Sequence, residues 1–184
     1  GSTVQQVLEQ AAAALTGSET LVQGAGRTDS GVHATGQAAH LDVPDKFDAE
    51  RVMQALNALT GDHPVSVISA REVPADFHAR FSATSRRYLY RILPRRQPPA
   101  LDQGRVWHHR KALHADVMQP AASLLLGPLD FSRFRATHCQ AASRLRPHDE
   151  LRAEAVGAAG HIHAAARSFL HPPSRNMVGP LALV

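Results

Sequence analysis

The sequence has little cysteine, few aromatic residues and no long apolar run. Its 184 residues include one cysteine, Cys139, so neither an internal disulfide framework nor a Cys-x-x-Cys metal site can form. A chain with so little cysteine is typical of a reducing compartment, and we expect a cytoplasmic protein. No run reaches the roughly 18 apolar residues that a membrane-spanning helix requires, which predicts that the chain does not cross a membrane.

The composition is that of a chain with a packed interior. Hydrophobic residues make up 43% of the sequence, and the aromatic share is only 5%. A length of 184 residues predicts one domain, or two small subdomains around a joined core. We find no internal repeat.

The net charge is only +4, but its distribution along the chain is uneven. Residues 1–78 carry 10 acidic and 4 basic side chains, whereas residues 79–184 carry 16 basic and 6 acidic ones. The densest basic stretch covers residues 80–111, where nine cationic side chains stand against Asp102 alone and are interleaved with Phe81, Tyr88, Tyr90 and Trp107. This mixture suits a polyanion with bases that can stack. The alternative is an exposed strand face with solvated arginines.

Glycines at 24, 26 and 31 bracket one carboxylate, Asp29, and Arg27 lies two residues before it. Because glycine permits positive φ and close approach of another chain, the segment predicts a tight loop between two strands. The carboxylate is either a functional group held on this loop or the acceptor of an ordinary Asx-type turn.

Periodicity predicts the secondary structure. Helical spacing of apolar residues predicts helices over 3–16, 48–59 and 114–126, with Pro120 expected to kink the third helix or delay its start. Alternation predicts strands over 19–25, 36–43, 65–73, 86–93 and 105–109, and a hairpin of 150–156 with 160–166.

Four segments resemble the motifs of one known family. The run GAGRTDSGVHATGQAAHLDV over 24–43 is close to the catalytic motif of the bacterial tRNA pseudouridine synthase A family, with Ser30 where alanine is usual. The segments FHARFSAT over 77–84, DFSRFR over 130–135 and ARSFLHPPSRNMVG over 166–179 resemble further motifs. Pro172, Pro173 and Pro180 depart from the family pattern near Arg175.

The resemblance implies an α/β (α+β) pseudouridine synthase fold. We expect a mixed, mostly antiparallel sheet with helices on one face and an RNA-binding cleft on the other, and residues 1–184 as one catalytic region. The family's first strand and its C-terminal segment have no counterpart in this sequence.

The resemblance also assigns roles to individual residues. Asp29 is the catalytic carboxylate, and Arg175 is expected to form the ion pair that keeps it charged where water is excluded. The alternative for Arg175 is a helix cap or a phosphate contact. Arg27 is expected to enter the RNA stem and hold the nucleotide out. Tyr88 is expected to stack on uracil, although a strand tyrosine is ordinarily a core residue, and His33 either contacts RNA or bonds within the loop.

The implied function is isomerisation of uridine to pseudouridine at positions 38 to 40 of the tRNA anticodon stem-loop, without a cofactor. The expected partner is tRNA, and the expected assembly is a homodimer. One alternative is a tRNA-binding module that is weakly active or inactive.

The other alternative is a histidine-dependent metal hydrolase, because the chain has 12 histidines. His108 and His109 point to opposite faces of a strand, whereas His161 and His163 can share one. Since no HExxH motif follows them, the sequence predicts no metal site.

Overall fold

The computed structural model describes residues 2–113, 115–124, 150–157, 159–166 and 179. The chain forms two compact units: Gly1–Asp29 with Ala34–Ala83, and Ser30–His33 with Thr84–Val184. Over the described ranges, every helix is too short or too polar to cross a bilayer.

The first unit contains two helices whose predicted bounds are confirmed. Helix α1 covers Val4–Thr16, and Thr3 closes a capping box with Gln6 at its start. Gly17 ends the helix in the left-handed region with φ 80°. Helix α2 covers Ala49–Leu59, and Asp48 accepts a hydrogen bond from the Arg51 N–H as its N-cap.

Two short strands of the first unit pair antiparallel: β1, Gln23–Gly24, and β2, Ala39–His40. Both are shorter than predicted. The Val22 N–H donates to Glu9 Oε1 of α1 at 3.2 Å rather than to a strand. Leu41 and Val43 pack against the apolar cluster of α1 and α2, which is built on Ala11, Ala12, Val52 and Leu56. The residues that would lengthen the β1–β2 ladder therefore contact the helices instead.

The prediction of a strand over 65–73 is wrong, since these residues pair with no other strand in the described structure. The side chain of Asn57 takes the place of a neighbouring strand: its amide donates to the Val67 carbonyl at 2.9 Å, and its oxygen accepts from the Val67 N–H at 2.7 Å. Val65 and Val67 still alternate with exposed Ser66 and Ile68, which is the pattern that suggested a strand.

The second unit is built on a four-stranded sheet. Its strands are β3, Arg86–Pro94; β4, Trp107–His109; β5, Glu150–Val156; and β6, Ala159–Ala166. The spatial order is β4-β3-β6-β5, with β3 and β4 parallel and the other two pairs antiparallel. The predicted hairpin of β5 and β6 is confirmed, and Gly157 turns it with φ 59°.

Helix α3, Ala115–Leu124, contacts this sheet at β5 and contains Pro120. The core of the unit lies between them and comprises Ile92, Met118, Ala122, Leu151, Ala153, Ile162 and Ala164. Cross-strand register places Arg91, His161 and Glu154 on the opposite face, which we call the outer face.

The described elements form an α/β fold with a mixed, mostly antiparallel sheet, as predicted. The motif segment 130–135, residues 167–178 of the motif segment 166–179, Arg175 among them, and Pro180 lie outside the described residues.

Candidate active site

The glycine-rich loop has a fixed base. Beyond the β1–β2 ladder, the Ala25 N–H donates to the Ala38 carbonyl at 2.8 Å. The Gln37 side-chain amide donates to the Gly26 carbonyl, also at 2.8 Å. These bonds tie together the two ends of the segment that carries Arg27 and Asp29.

Residues 26–39, which form the loop, are exposed, and Arg27 and Asp29 are among them. Gly31 adopts φ 80°, so the turn after Asp29 does require glycine. Gly26 lies outside the left-handed region, and a Cβ at this position would meet no atom of the described residues within 4 Å. The described part of the chain therefore gives no reason for glycine at 26, whereas close approach of a substrate would.

A cluster of aromatic rings connects the loop base to the 77–82 segment. His40 of β2 lies 4.7 Å from His78 between ring centroids, and His78 lies 4.3 Å from Phe81. The ring of Phe77 meets His40 edge-on at 6.2 Å. The first two motifs singled out in the sequence are thus in direct contact.

Hydrogen bonds determine the tautomers of both histidines. His40 Nδ1 accepts from the Ala79 N–H at 3.1 Å, and His78 Nδ1 accepts from the Arg80 N–H at 3.2 Å. Each neutral ring therefore carries its proton on Nε2. From there, His78 donates to Gln23 Oε1 on β1 at 3.1 Å.

Gln23, His40 and His78 were not among the site residues expected from the sequence. The signal that points to them is their place within or beside the two motifs, at 24–43 and 77–84. Sequence alone does not reveal that they contact one another.

Tyr88 lies on the sheet face that also carries Ile92, because alternate residues of β3 share a face. Its side chain keeps 36% of its surface exposed, so it is not a fully buried core residue. Tyr90, on the same face, packs partly buried against the core cluster, in agreement with the packing role expected for it.

The second unit exposes much of the basic stretch. The exposed cations here are Arg87, Arg95, Arg96, Arg105, Arg110 and Lys111. Trp107, in the same stretch of sequence, exposes 45% of its surface. Arg91 instead forms an ion pair with Asp102 at 3.3 Å. Exposed guanidinium groups can contact phosphates, and an exposed indole can stack on bases.

The outer face holds the histidine pair considered as a metal site. His163 Nε2 lies 2.8 Å from Glu154 Oε1, and Arg152 donates to the same carboxylate. The pKa of His161 is lowered, first by burial and then by the charges of Arg91 and His163, while Glu154 raises it.

The arrangement of the remaining predicted site residues in one active site stays a prediction. His33 is exposed and belongs to the second unit, and Asp29 belongs to the first. Arg175 lies outside the described residues, so its ion pair with Asp29 stays a prediction.

Comparison with known proteins agrees with the resemblance. A family model described as tRNA pseudouridine synthase matches residues 1–82. A tRNA pseudouridine synthase A of Rhodospirillum rubrum is 56% identical over the whole chain, which spans 66% of that relative. Relatives of the same name in Paramagnetospirillum magneticum and Zymomonas mobilis are 52% and 47% identical over the whole chain, which spans 72% and 75% of them.

Identity of this extent, over every residue of the chain, indicates shared ancestry and a shared fold. The chain belongs to the tRNA pseudouridine synthase A family, whose members are isomerases that act on tRNA uridines.

Proposed function

We propose that this chain is the catalytic region of a tRNA pseudouridine synthase that acts at positions 38 to 40 of the anticodon stem-loop, with Asp29 as its catalytic carboxylate. The observation that carries the proposal is the setting of Asp29, on an exposed glycine-rich loop with a base fixed by the β1–β2 ladder and by Gln37. Such a loop can present a carboxylate to a macromolecular substrate while the β1–β2 ladder at its two ends stays unchanged.

The reaction is an isomerisation in which atoms are neither gained nor lost. The bond from uracil N1 to ribose C1′ breaks, and a bond from C1′ to C5 forms. The C5 proton leaves, and N1 gains a proton. These reaction steps need a nucleophile or a general base. An ionised carboxylate can act as either, by covalent attack on the sugar or the uracil or by proton abstraction from the sugar.

The exposure of Asp29 in the unbound protein fits a substrate-dependent site. When tRNA covers the loop, water leaves the carboxylate, and burial then disfavours its charged form. A neighbouring guanidinium offsets this cost. We assign this guanidinium to Arg175, because the motif around Arg175 resembles the family motif.

Arg27, Tyr88 and His33 are the proposed substrate contacts. Arg27 lies two residues before Asp29 on the exposed loop, where its side chain can enter a base stack and hold out the target nucleotide. Tyr88 keeps 36% of its surface exposed, and we assign it to stack on the detached uracil. His33, exposed after Gly31, is available to contact the RNA backbone.

We further infer that the working protein is a cytoplasmic homodimer that binds one tRNA across both subunits. The family resemblance supports this assembly, and the low cysteine content supports the compartment. Light scattering tests the assembly: a mass near twice 19.8 kDa supports the dimer, and a mass near 19.8 kDa contradicts it.

Mapping of pseudouridine in a tRNA transcript tests the function. The transcript is incubated with the protein, treated with a carbodiimide that marks pseudouridine, and read by primer extension. We expect stops at positions 38 to 40 and none at uridines elsewhere. Tight tRNA binding without any stop would support the binding module instead, and stops only at other positions would overturn the proposed site.

A further inference from the structure

The outer face of the second unit holds a group of side chains that the pseudouridine reaction does not use. Glu154 on β5 pairs in register with His161 on β6, and His163 lies two residues further along the same strand. Because alternate residues of a strand share a face, all three side chains project from the outer face. Their positions are determined by the β5–β6 ladder rather than by a loop.

Ligand atoms of these three residues come close together. Within the part of the chain that the structure describes, one imidazole nitrogen of each histidine and one oxygen of Glu154 all lie within 4.8 Å of one another. The three residues are each half-buried. The rings of His161 and His163 meet edge-on at 6.1 Å, and His163 Nε2 already contacts Glu154 Oε1 at 2.8 Å.

The chemistry of the donor atoms selects a class of metal. Two imidazoles and one carboxylate suit zinc and neighbouring divalent transition metals, whereas magnesium and calcium prefer oxygen ligands alone. Three protein ligands leave the fourth position of a tetrahedral ion to water, which the half-exposed location supplies.

The surrounding charges both orient the site and weaken it. Arg152 donates to both oxygens of Glu154, to Oε2 at 2.7 Å and to Oε1, the oxygen that contacts His163, at 3.3 Å. This arrangement resembles the outer hydrogen bonds that orient ligating carboxylates in metal proteins. The positive charges of Arg152 and Arg91 oppose a cation, so the affinity should be lower than that of structural zinc sites with four ligands.

We propose that Glu154, His161 and His163 form a binding site for a divalent transition-metal ion of zinc-like preference, which ties β5 to β6. The inference goes beyond pseudouridine synthesis and does not depend on it. None of the three residues belongs to the proposed active site. Absence of metal binding would therefore not contradict the proposed function. Absence of pseudouridine formation would likewise not contradict the metal site.

Cobalt titration tests the proposal on the whole protein, after removal of any affinity tag and of adventitious metal. Visible absorption reports tetrahedral Co²⁺, and competition with zinc and magnesium tests the preference. We expect one equivalent of Co²⁺ per chain, displaced by zinc and not by magnesium. His161→Ala and His163→Gln should each weaken cobalt binding by at least about 10-fold. Loss of a residue that only hydrogen-bonds a metal ligand already costs about 10-fold, and loss of a ligand should cost no less.

His109→Ala is the matched control, because His109 is a half-buried strand histidine whose Nδ1 lies near the Lys111 carbonyl. It should bind cobalt as the unmodified protein does. Zinc should also raise the melting temperature of the unmodified protein and of His109→Ala, but not that of His163→Gln. No bound cobalt, or binding that both His161→Ala and His163→Gln leave unchanged, would overturn the site. Circular dichroism of each variant separates lost binding from lost folding.

Discussion

His78 Nε2 donates a hydrogen bond to Gln23 Oε1 across 3.1 Å, and this bond joins two segments that lie 55 residues apart in the sequence. Gln23 belongs to the strand that leads into the Asp29 loop, and His78 lies in the segment that follows the turn at 74–77. The geometry of the loop base therefore depends on a distant histidine as well as on the two-residue ladder.

Removal of this link should affect catalysis more than tRNA binding. For His78→Ala, we expect a loss of about 1 kcal/mol in the free energy of unfolding, since the hydrogen bond to Gln23 and the ring contacts with His40 and Phe81 disappear. The turnover rate should fall at least about 10-fold because the loop carrying Asp29 is less well positioned. Denaturant unfolding, single-turnover kinetics and filter binding of tRNA measure the three quantities.

His63→Ala is the control for this variant, since His63 is an exposed histidine in the same unit. It should change none of the three quantities. A double-mutant cycle of Gln23→Ala with His78→Ala should give a coupling energy of about 0.5–1.5 kcal/mol. A coupling energy near zero would contradict the contact.

Two glycines of the loop should respond differently to alanine. Gly31→Ala should lower the free energy of unfolding by about 1 kcal/mol, because alanine is strained at φ 80°. Gly26→Ala should leave stability unchanged, because the added Cβ meets no atom within 4 Å in the part of the chain that the structure describes. It should reduce activity, because we expect the tRNA backbone to approach here. Thermal unfolding and pseudouridine formation measure the two effects. A clear loss of stability in Gly26→Ala would contradict the described backbone.

The exposed arginines of the second unit should contribute to tRNA binding in a salt-dependent way. Arg110→Gln is expected to weaken binding and to lower the slope of log K against log salt by about 1, as the loss of one phosphate contact does. Arg71→Gln, which removes an exposed arginine from the acidic first part of the chain, serves as the control. Equal effects of the two variants would indicate that only the net charge matters.

The N-cap of α2 should contribute measurably to stability. Asp48→Ala removes the acceptor of the Arg51 N–H, which lies 2.7 Å from Asp48 Oδ1. We expect a loss of about 1 kcal/mol in the free energy of unfolding, measured by chemical denaturation. Asp62→Ala, an exposed aspartate in the turn after the same helix, should change it far less. Equal stability of Asp48→Ala and the unmodified protein would contradict the cap.

Local signals predicted the helices and the second-unit strands well. The capping box at Thr3, the N-cap at Asp48 and the glycine at 17 determine helix bounds through contacts within a few residues. Alternation over residues 86–93 was equally sufficient to predict β3. The strand predicted over 65–73 was wrong because a ladder needs a neighbour, and Asn57 bonds Val67 instead.

The candidate site was only partly predictable. The motif around Asp29 indicated a tight glycine-rich loop between two strands, and the β1–β2 pair agrees, whereas the exposure of Asp29 was not predicted. The contacts of His40 and His78 were not predictable, since they depend on two segments meeting in the fold. Likewise, no motif placed Glu154 beside the histidine pair; strand register did so.

Tritium release from tRNA labelled at uracil C5 tests the central claim, that Asp29 performs the chemistry. The measurement compares the unmodified protein with Asp29→Asn, which keeps the size of the side chain and removes its charge, under single-turnover conditions at saturating enzyme. We predict that release falls by at least about 10³-fold in Asp29→Asn, while tRNA affinity changes little. Release by Asp29→Asn at a rate close to that of the unmodified protein would contradict the account.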